Sequence, residues 1–429
     1  MSERKKLWSG DVPETWKVAP LKHCIAFRSD SLSEGTNPDY WFRYVDIGSV
    51  TACSGVTGYA EMAFRDAPSR ARKRVRRGDT IVSTVRTYLK AIARIEDDED
   101  VIVSTGFAVL EPCEFDSLYL TFLISSDLVC EEIERRSWGI AYPAISETSM
   151  SSIIVPIPPL YEQQLIADYL RRACAKLDSA CSVLERQLQT LDDYRKSLIQ
   201  ETVTKGLDLT VDMKPSGYEY LGSIPSTWGM SPLLYLGEMQ NGISKDGDSF
   251  GSGYPFVSYG DVYRNVFLPR AVEGLVESNS EERYRYSVKK NDAFFTRTSE
   301  TIDEIGFASV CLESIENATF AGFLIRFRPN TCKLNMRFAA YYFRSENLRA
   351  YFAREMVSVT RASLSQNLLG RLVVPLPPLD EQERIANYLD SKYSVVDRLI
   401  AGKRKQLETL RAQRQSLIYE YVTGKRRVV

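Results

Sequence analysis

The sequence predicts a mixed α/β protein in which one head-and-helix unit is used twice. Three observations carry this. Residues 153–204 align without a gap to residues 372–423, with 23 identities in 52 positions. Each copy holds a long apolar heptad pattern behind a proline-rich turn. Ahead of each copy lie short β-rich runs bounded by Gly, Asp and Pro, mixed with helical spacings. The expected fold class is α/β, with mixed α+β heads plus long α-helices. Two heads are expected to be separated by an antiparallel two-helix coiled coil, as a pseudo-two-fold tandem repeat.

The repeat comes first because a missed repeat misreads everything else. The first copy opens V-P-I-P-P-L-Y-E-Q-Q-L-I-A-D-Y-L from Val155, the second V-P-L-P-P-L-D-E-Q-E-R-I-A-N-Y-L from Val374. Their ends, R-K-S-L-I-Q-E-T-V-T and R-Q-S-L-I-Y-E-Y-V-T, match at the same offset of 219. Fainter matches precede them. Val12-Pro13-Glu14-Thr15-Trp16 corresponds to Ile224-Pro225-Ser226-Thr227-Trp228. Arg77-Gly78-Asp79 corresponds to Lys290-Asn291-Asp292, each before an apolar run. The expected divisions are a first head over 1–152, a central helical region over 153–210, a second head over 211–371 and a C-terminal helical region over 372–429.

Within the heads, 80–84, 101–104 and 323–327 read as strands, and 118–136 and 336–356 as helices. Pro156 to Pro159 and Pro375 to Pro378 exclude helix interior and mark an extended entry. Beyond each entry, apolar residues step by three and four. Leu170, Leu177, Cys181, Leu184 and Leu191 line the first seam; Leu389, Val396, Ile400, Leu407 and Leu410 line the second. Each helix is expected to run about 40 residues, or about 60 Å. Arg195, Lys403 and Arg414 interrupt the seams, and long basic side chains there are expected to snorkel. One seam cannot be buried alone, so the two helices are expected to pack on each other.

Composition narrows the function. The 429 residues hold 55 Lys+Arg, 56 Asp+Glu and one histidine, His23. A zinc site with two His ligands is excluded, and His23 reads as a satisfied structural residue. A net charge of −1 argues against coating nucleic acid by bulk charge. Eight scattered cysteines without a C-x-x-C pair read as reduced thiols. No secretory signal or membrane-length apolar run is seen, so the chain reads as soluble and cytoplasmic. No phosphate-binding G-x-x-x-x-G-K-[ST], methylase or nuclease motif is found, and no catalytic or metal residue is expected.

What remains is binding. Residues 65–77 read R-D-A-P-S-R-A-R-K-R-V-R-R, with seven basic residues in thirteen. Such a run suits a phosphate backbone; a solvated loop is the alternative. Residues 84–87 and 297–300 fall at equivalent places, as do 142–146 and 361–367, and their side chains include base-edge readers. Turn and capping chemistry is the alternative for these. By chemistry and position the DNA-contact candidates in the first head are Arg70, Arg72, Lys73, Arg74, Arg76, Arg77, Arg86, Thr87, Lys90, Tyr142 and Ser146. In the second they are Tyr259, Arg264, Arg297, Thr298, Ser299, Arg361, Ser365, Gln366 and Asn367.

The doubled V-P-x-P-P-L-x-E-Q element, the two long helices and the paired [IV]-P-x-T-W starts resemble the DNA specificity subunit of type I restriction–modification systems, the HsdS family. The resemblance covers essentially the whole chain. It implies that each head is a target recognition domain reading one half of a gapped double-stranded DNA sequence. It implies docking by two modification (methyltransferase) subunits and two restriction (translocase and nuclease) subunits. Pro158, Pro159, Glu162, Gln163, Pro377, Pro378, Glu381 and Gln382 become candidate docking residues. No cofactor is expected on this chain; S-adenosylmethionine, ATP and Mg2+ are expected on the partners, with no membrane involved. Two other readings are a coiled-coil scaffold without sequence-specific DNA binding, and the recognition component of a methylation-only system.

Overall fold

A computed structural model describes residues 12–51, 55–97, 100–298, 304–355 and 363–428. The chain forms two compact units. One contains residues 1–186 and 403–429; the other contains 187–402. Each therefore takes a head, the first half of one long helix and the second half of the other.

The long helices are Leu160–Lys205, 46 residues, and Leu379–Val422, 44 residues. Within each unit their segments run antiparallel. In the first unit Asp178 pairs with Arg414 and Glu185 with Arg411, so one number rises as the other falls. In the second, Arg195 pairs with Asp397. The expected seam residues Leu170, Cys181, Leu389, Val396, Ile400 and Leu407 are buried. Of the seam arginines, Arg414 does not snorkel, while the Arg195 side chain stays 33% exposed. Arg414 is buried and ion-paired, and Arg195 pairs with Asp192 and Asp397 and lies over the Tyr393 ring. A carboxylate facing the seam replaces water as the partner, which a one-helix pattern does not reveal.

The proline-rich entries are extended, as expected. Ile154–Ile157 pairs antiparallel with Lys17–Pro20, Lys17 opposite Ile157. Val373–Leu376 pairs antiparallel with Gly229–Pro232, Gly229 opposite Leu376. Proline is tolerated because each is a two-stranded sheet, with no further strand beside it among the described residues.

Each head holds an equivalent four-stranded sheet. In the first its order is Ile25–Phe27, Phe107–Pro112, Thr80–Ser83, Ile92–Arg94; in the second, Gly237–Asn241, Leu324–Pro329, Ala293–Thr296, Ala308–Val310. The turn into the third strand is the same device twice. Gly78 (φ 91°) and Asn291 (φ 72°) adopt the left-handed conformation. The next residue, Asp79 or Asp292, accepts the backbone N–H of Arg76 or Lys289. Each aspartate then takes an arginine from two bonds: Arg28 on Asp79 and Arg328 on Asp292. The first head adds a sheet ordered Ala60–Ala63, Trp41–Val45, Val101–Ser104, Ala71–Arg74. The second adds Leu275–Val276, Phe250–Val257 and Thr319–Phe320.

The helical readings 118–136 and 336–356 each split in two. Ser117–Ser125 and Asp127–Arg136 flank Ser126, whose extended backbone (φ −69°, ψ 147°) caps both. Met336–Tyr342 and Glu346–Glu355 flank a similar break; residue 356 lies outside the described residues. Apolar spacing persists through a cap, so periodicity alone misses it.

The cores show why the units are composite. Ile418, Tyr421 and Val422 of the second helix join Trp16, Leu120, Leu123 and Ile166 in the first core. Ile199 and Val203 of the first helix join Trp228, Phe338, Ile385 and Leu389 in the second. Burying each aliphatic side chain contributes about 1.5–3 kcal/mol. Among the described residues no helix is long and apolar enough to cross a membrane.

Candidate nucleic-acid interface

The basic run of the first head is not a solvated loop. Ala71–Arg74 is a strand, and much of the run's charge is matched. Arg70 meets Asp46 at 2.7 Å, Lys73 meets Glu147 at 2.7 Å, and Arg74 meets Asp100 at 3.6 Å. Lys73 also donates to the Phe107 carbonyl at 2.8 Å. Arg72 donates to the Ala71 carbonyl and lies over the Phe64 ring. Arg76 and Arg77 are exposed. The nearby carboxylates Asp97 and Asp100 are engaged as well, Asp100 by Arg74 of the run. Asp97 takes Arg43 and the Tyr59 hydroxyl, and Asp100 takes Tyr40. The run therefore offers a phosphate fewer free cations than its composition suggests.

The two loop motifs singled out in each head are brought together. In the first, the Ile145 N–H donates to the Thr84 carbonyl at 2.9 Å, and Val85 and Ala144 form an isolated bridge. In the second, the Leu364 N–H donates to the Arg297 carbonyl at 2.8 Å, and Thr298 bridges Ser363. Each head thus builds one composite edge from the end of its third strand and the segment before its proline-rich turn.

The side chains on these edges divide. Arg86 (φ 51°) and Lys90 (φ 48°) are left-handed and flank a short 3-10 turn, Thr87–Leu89. That conformation costs a non-glycine residue about 1–2 kcal/mol, and such strain concentrates at functional sites. Arg86 lies over the exposed Tyr142 ring at 5.0 Å. Thr87 is buried against Ser137, and Lys90 sits 3.6 Å from Asp127. Ser146 and Ser365 are helix N-caps, accepting the N–H of Ser149 and Leu368; for these two the capping alternative holds.

In the second head, Tyr259 donates to the Glu304 carbonyl at 3.0 Å, in a helix whose Arg264 is exposed. Half-buried Arg344 fixes the end of that helix, donating to the Val262, Tyr263 and Asn265 carbonyls. Burial pushes its guanidinium down to about 10. Arg297 Nε and Thr298 Oγ1 are buried without a hydrogen-bond partner among the described residues. Gln366 donates to Asn241 at 2.9 Å, and Asn367 is exposed. Ser299 and Arg361 lie outside the described residues.

The motif residues read as docking candidates have interior partners. Gln163 is buried; it donates to the Pro158 carbonyl and accepts the Asp116 N–H at 2.7 Å. Gln382 does the same with Pro377 and Asn335. Asp116 caps Ser117–Ser125 and Asn335 caps Met336–Tyr342, so each glutamine ties the proline-rich turn to that cap. Glu162 accepts the Trp16 indole N–H and Arg427; Glu381 accepts the Trp228 indole N–H at 3.1 Å. Pro158 and Pro377 are buried, Pro159 is half-buried and Pro378 is exposed. At the helix starts the exposed apolar residues are Leu160, Tyr161, Leu165 and Leu379.

Sequence reasoning passed over Tyr88, Leu89, Trp138 and Ile140, all exposed beside Arg86 and Tyr142. The available signal was Trp-Gly-Ile-Ala-Tyr-Pro, an apolar run between a helix and a capping serine. His23, expected to be a satisfied structural residue, is exposed at the end of a 3-10 turn. Seven of the cysteines are described and unbridged. Burial pushes the Cys24 thiol up to about 11 and those of Cys130 and Cys311 to about 12, so these stay protonated at neutral pH.

Comparison with known proteins accounts for the duplicated heads. Residues 65–187 and 225–409 match the family model described as type I restriction modification DNA specificity domain. The chain is 24% identical to the type I restriction enzyme MjaVIII specificity subunit of Methanocaldococcus jannaschii, across 73% of this chain and 71% of that protein. It is 23% identical to the Escherichia coli EcoBI specificity subunit, across 68% of this chain and 62% of that one. A chain solved in a study of complex assembly and conformational transition of the type I R-M system superposes with a TM-score of 0.65 at 22% identity, covering 96% and 99% of the two chains. That last likeness concerns the fold. The family match spans most of both heads and both helices, and the chain belongs to the family of type I restriction modification DNA specificity domains.

Proposed function

We propose that this chain is the specificity subunit of a type I restriction–modification complex and reads a bipartite, gapped double-stranded DNA target, one head to each half-site. The observation that carries this reading is the duplicated edge: Ile145 on Thr84 in one head, Leu364 on Arg297 in the other. In this reading phosphate contacts set register, and base-edge contacts from each edge specify sequence. The long helices set the unread spacer; half-sites one turn apart lie about 34 Å apart. Two modification and two restriction subunits bind, and Leu160, Tyr161, Leu165 and Leu379 offer them exposed apolar surface. S-adenosylmethionine, ATP and Mg2+ act on those partners, and this chain contributes recognition rather than catalysis.

The test is methylome sequencing of a host carrying head-swapped chains. Replacing residues 1–152 with the head of another family member is expected to change one half-site and leave the spacing alone. A change in both half-sites sinks the modular reading. Inserting four residues beside both members of the Glu185–Arg411 pair, about 6 Å of helix, is expected to lengthen the spacer and preserve both half-sites. Altered half-sites at the old spacing would contradict the ruler.

A further inference from the structure

The turn from Trp138 to Ala144 in the first head is short, tied down and unusually apolar for an exposed segment. Trp138 and Ala144 exchange both backbone hydrogen bonds, at 3.0 and 2.9 Å. Ala144 also bridges Val85, and the Thr87 N–H donates to the Pro143 carbonyl. The turn is therefore anchored to the Thr87–Leu89 turn rather than loose. Gly139 (φ 102°) makes the reversal, and a Cβ there would lie 3.2 Å from the Tyr142 carbonyl oxygen.

Its side chains point away from the core. Trp138 is 74% exposed, Tyr142 65%, and Ile140 at the tip 105%. Tyr88 and Leu89, on the turn joined to it through Thr87 and Pro143, are exposed as well. Scattered exposed apolar residues need no explanation, but five on two joined turns mark an interaction surface. The two segments, 84–90 and 137–146, carry no acidic residue; Lys90 is turned to Asp127 and Glu134 of the neighbouring helix, so the exposed cation they offer is Arg86. Arg86 lies over the Tyr142 ring, so a cation flanks the apolar tip. A tied-down apolar tip flanked by a cation, on a head of a DNA specificity family, is the form of a side-chain wedge for a base step.

We infer that the Trp138–Ala144 turn is an intercalating wedge: Ile140 enters the minor groove and partly unstacks one base step of the first head's half-site, while Arg86 holds a flanking phosphate. This rests on the proposal that the heads read DNA. The step it opens adds specificity through deformability, favouring pyrimidine–purine steps that unstack most readily. At the matching sequence positions the second copy has Val357, Val359 and Arg361, outside the described residues, so the inference concerns the first head alone.

The test uses the full chain assembled with its modification subunits, on a duplex carrying the site found by methylome sequencing. Single bases through the first head's half-site are replaced by 2-aminopurine, leaving out the adenine that becomes methylated. The wild-type complex is expected to raise fluorescence severalfold at one step. Ile140→Ala is expected to lose that rise, and Ile140→Met to keep it. A complex that binds and methylates its site with no rise overturns the wedge and leaves the DNA reading standing. A rise that persists in both Ile140→Ala and Trp138→Ala overturns it equally. Loss of modification subunits from the Ile140→Ala complex, with unstacking unchanged, assigns the patch to a protein partner and also overturns the wedge. A complex that shows no preference for its site over random duplex overturns the DNA reading, and the wedge with it.

Discussion

Arg414 donates from Nε to Asp178 Oδ1 at 2.8 Å inside one unit. The repeat-equivalent residues Arg195 and Asp397 make the same pair at 3.3 Å inside the other. Each pair takes its arginine from one copy and its aspartate from the other, so a substitution in either helix copy is felt in a unit containing both. The Arg414 side chain is 10% exposed, that of Arg195 33%. Arg414→Met is expected to destabilise the first unit by about 1–3 kcal/mol, and Arg195→Met the second by about 0–1 kcal/mol. Denaturant unfolding followed by hydrogen exchange of each unit measures this. Equal losses from the two substitutions would argue that burial is not what separates them.

The helix ends close on a glycine, a tryptophan and a glutamate. Gly206 (φ 79°) lies against Trp228, which donates to Glu381; Gly424 (φ 76°) lies against Trp16, which donates to Glu162. A Cβ on Gly424 would come within 2.4 Å of Pro13 Cδ, and one on Gly206 within 2.9 Å of Glu381 Oε1 and 3.1 Å of the Trp228 ring. Gly206→Ala and Gly424→Ala are each expected to cost at least the left-handed penalty, about 1–2 kcal/mol. Thermal melts read the loss, and Gly424→Ala should lose more because the neighbouring proline ring cannot rotate away.

The turn aspartates are the most buried acids among the described residues of the heads. The Asp292 side chain is fully buried and takes Arg328 from two nitrogens; that of Asp79 is 3% exposed and takes Arg28 likewise. The Asp79 hydrogen bond raises the Arg28 pKa further. Removing one partner of a buried pair costs about 3–5 kcal/mol. Asp292→Ala is expected to open the second head, and Asp79→Ala the first, to limited proteolysis. Cleavage of both heads by either variant would contradict this local action.

Acid should loosen one specific contact. The Tyr59 hydroxyl, and after it Arg43, hold the Asp97 carboxyl below its ordinary value of 3.8. The contribution of a depressed carboxylate is present above its unfolded value and lost as pH falls through the folded one. Solvent screens this partly exposed group, so Asp97→Asn is expected to cost about 1 kcal/mol or less at neutral pH. The gap in melting temperature from wild type should narrow as the pH drops below 3.8. A gap constant through that range would show that charge is not its source.

Much of this architecture was legible because it is written locally. The proline entries, the heptad seams and the strand at Val101–Ser104 depend on residues within a few positions of one another. The split at Ser126 was not legible, since apolar spacing continues across it. The interface was legible as segments but not as a site. Residues 84–87 and 142–146 could be flagged separately, yet which side chains face outward depends on the pairing that joins them. Ser146 and Ser365 became caps, Thr87 turned inward, and Trp138 and Ile140 remained exposed.

The sequence by itself determined the repeat, the two long helices, the family resemblance and the absence of recognisable motor, nuclease and methylase motifs. Only the tertiary structure decided that each head is completed by the far end of the other copy's helix. It also turned the Glu-Gln motif inward, onto a tryptophan and a helix cap. The reason is physical. A local pattern states that an apolar stripe must be buried or that a carboxylate needs a donor. It does not state which distant element supplies the partner. Ile418 finds Trp16 and Leu120, and Glu162 finds Trp16 and Arg427, only when the whole chain is packed.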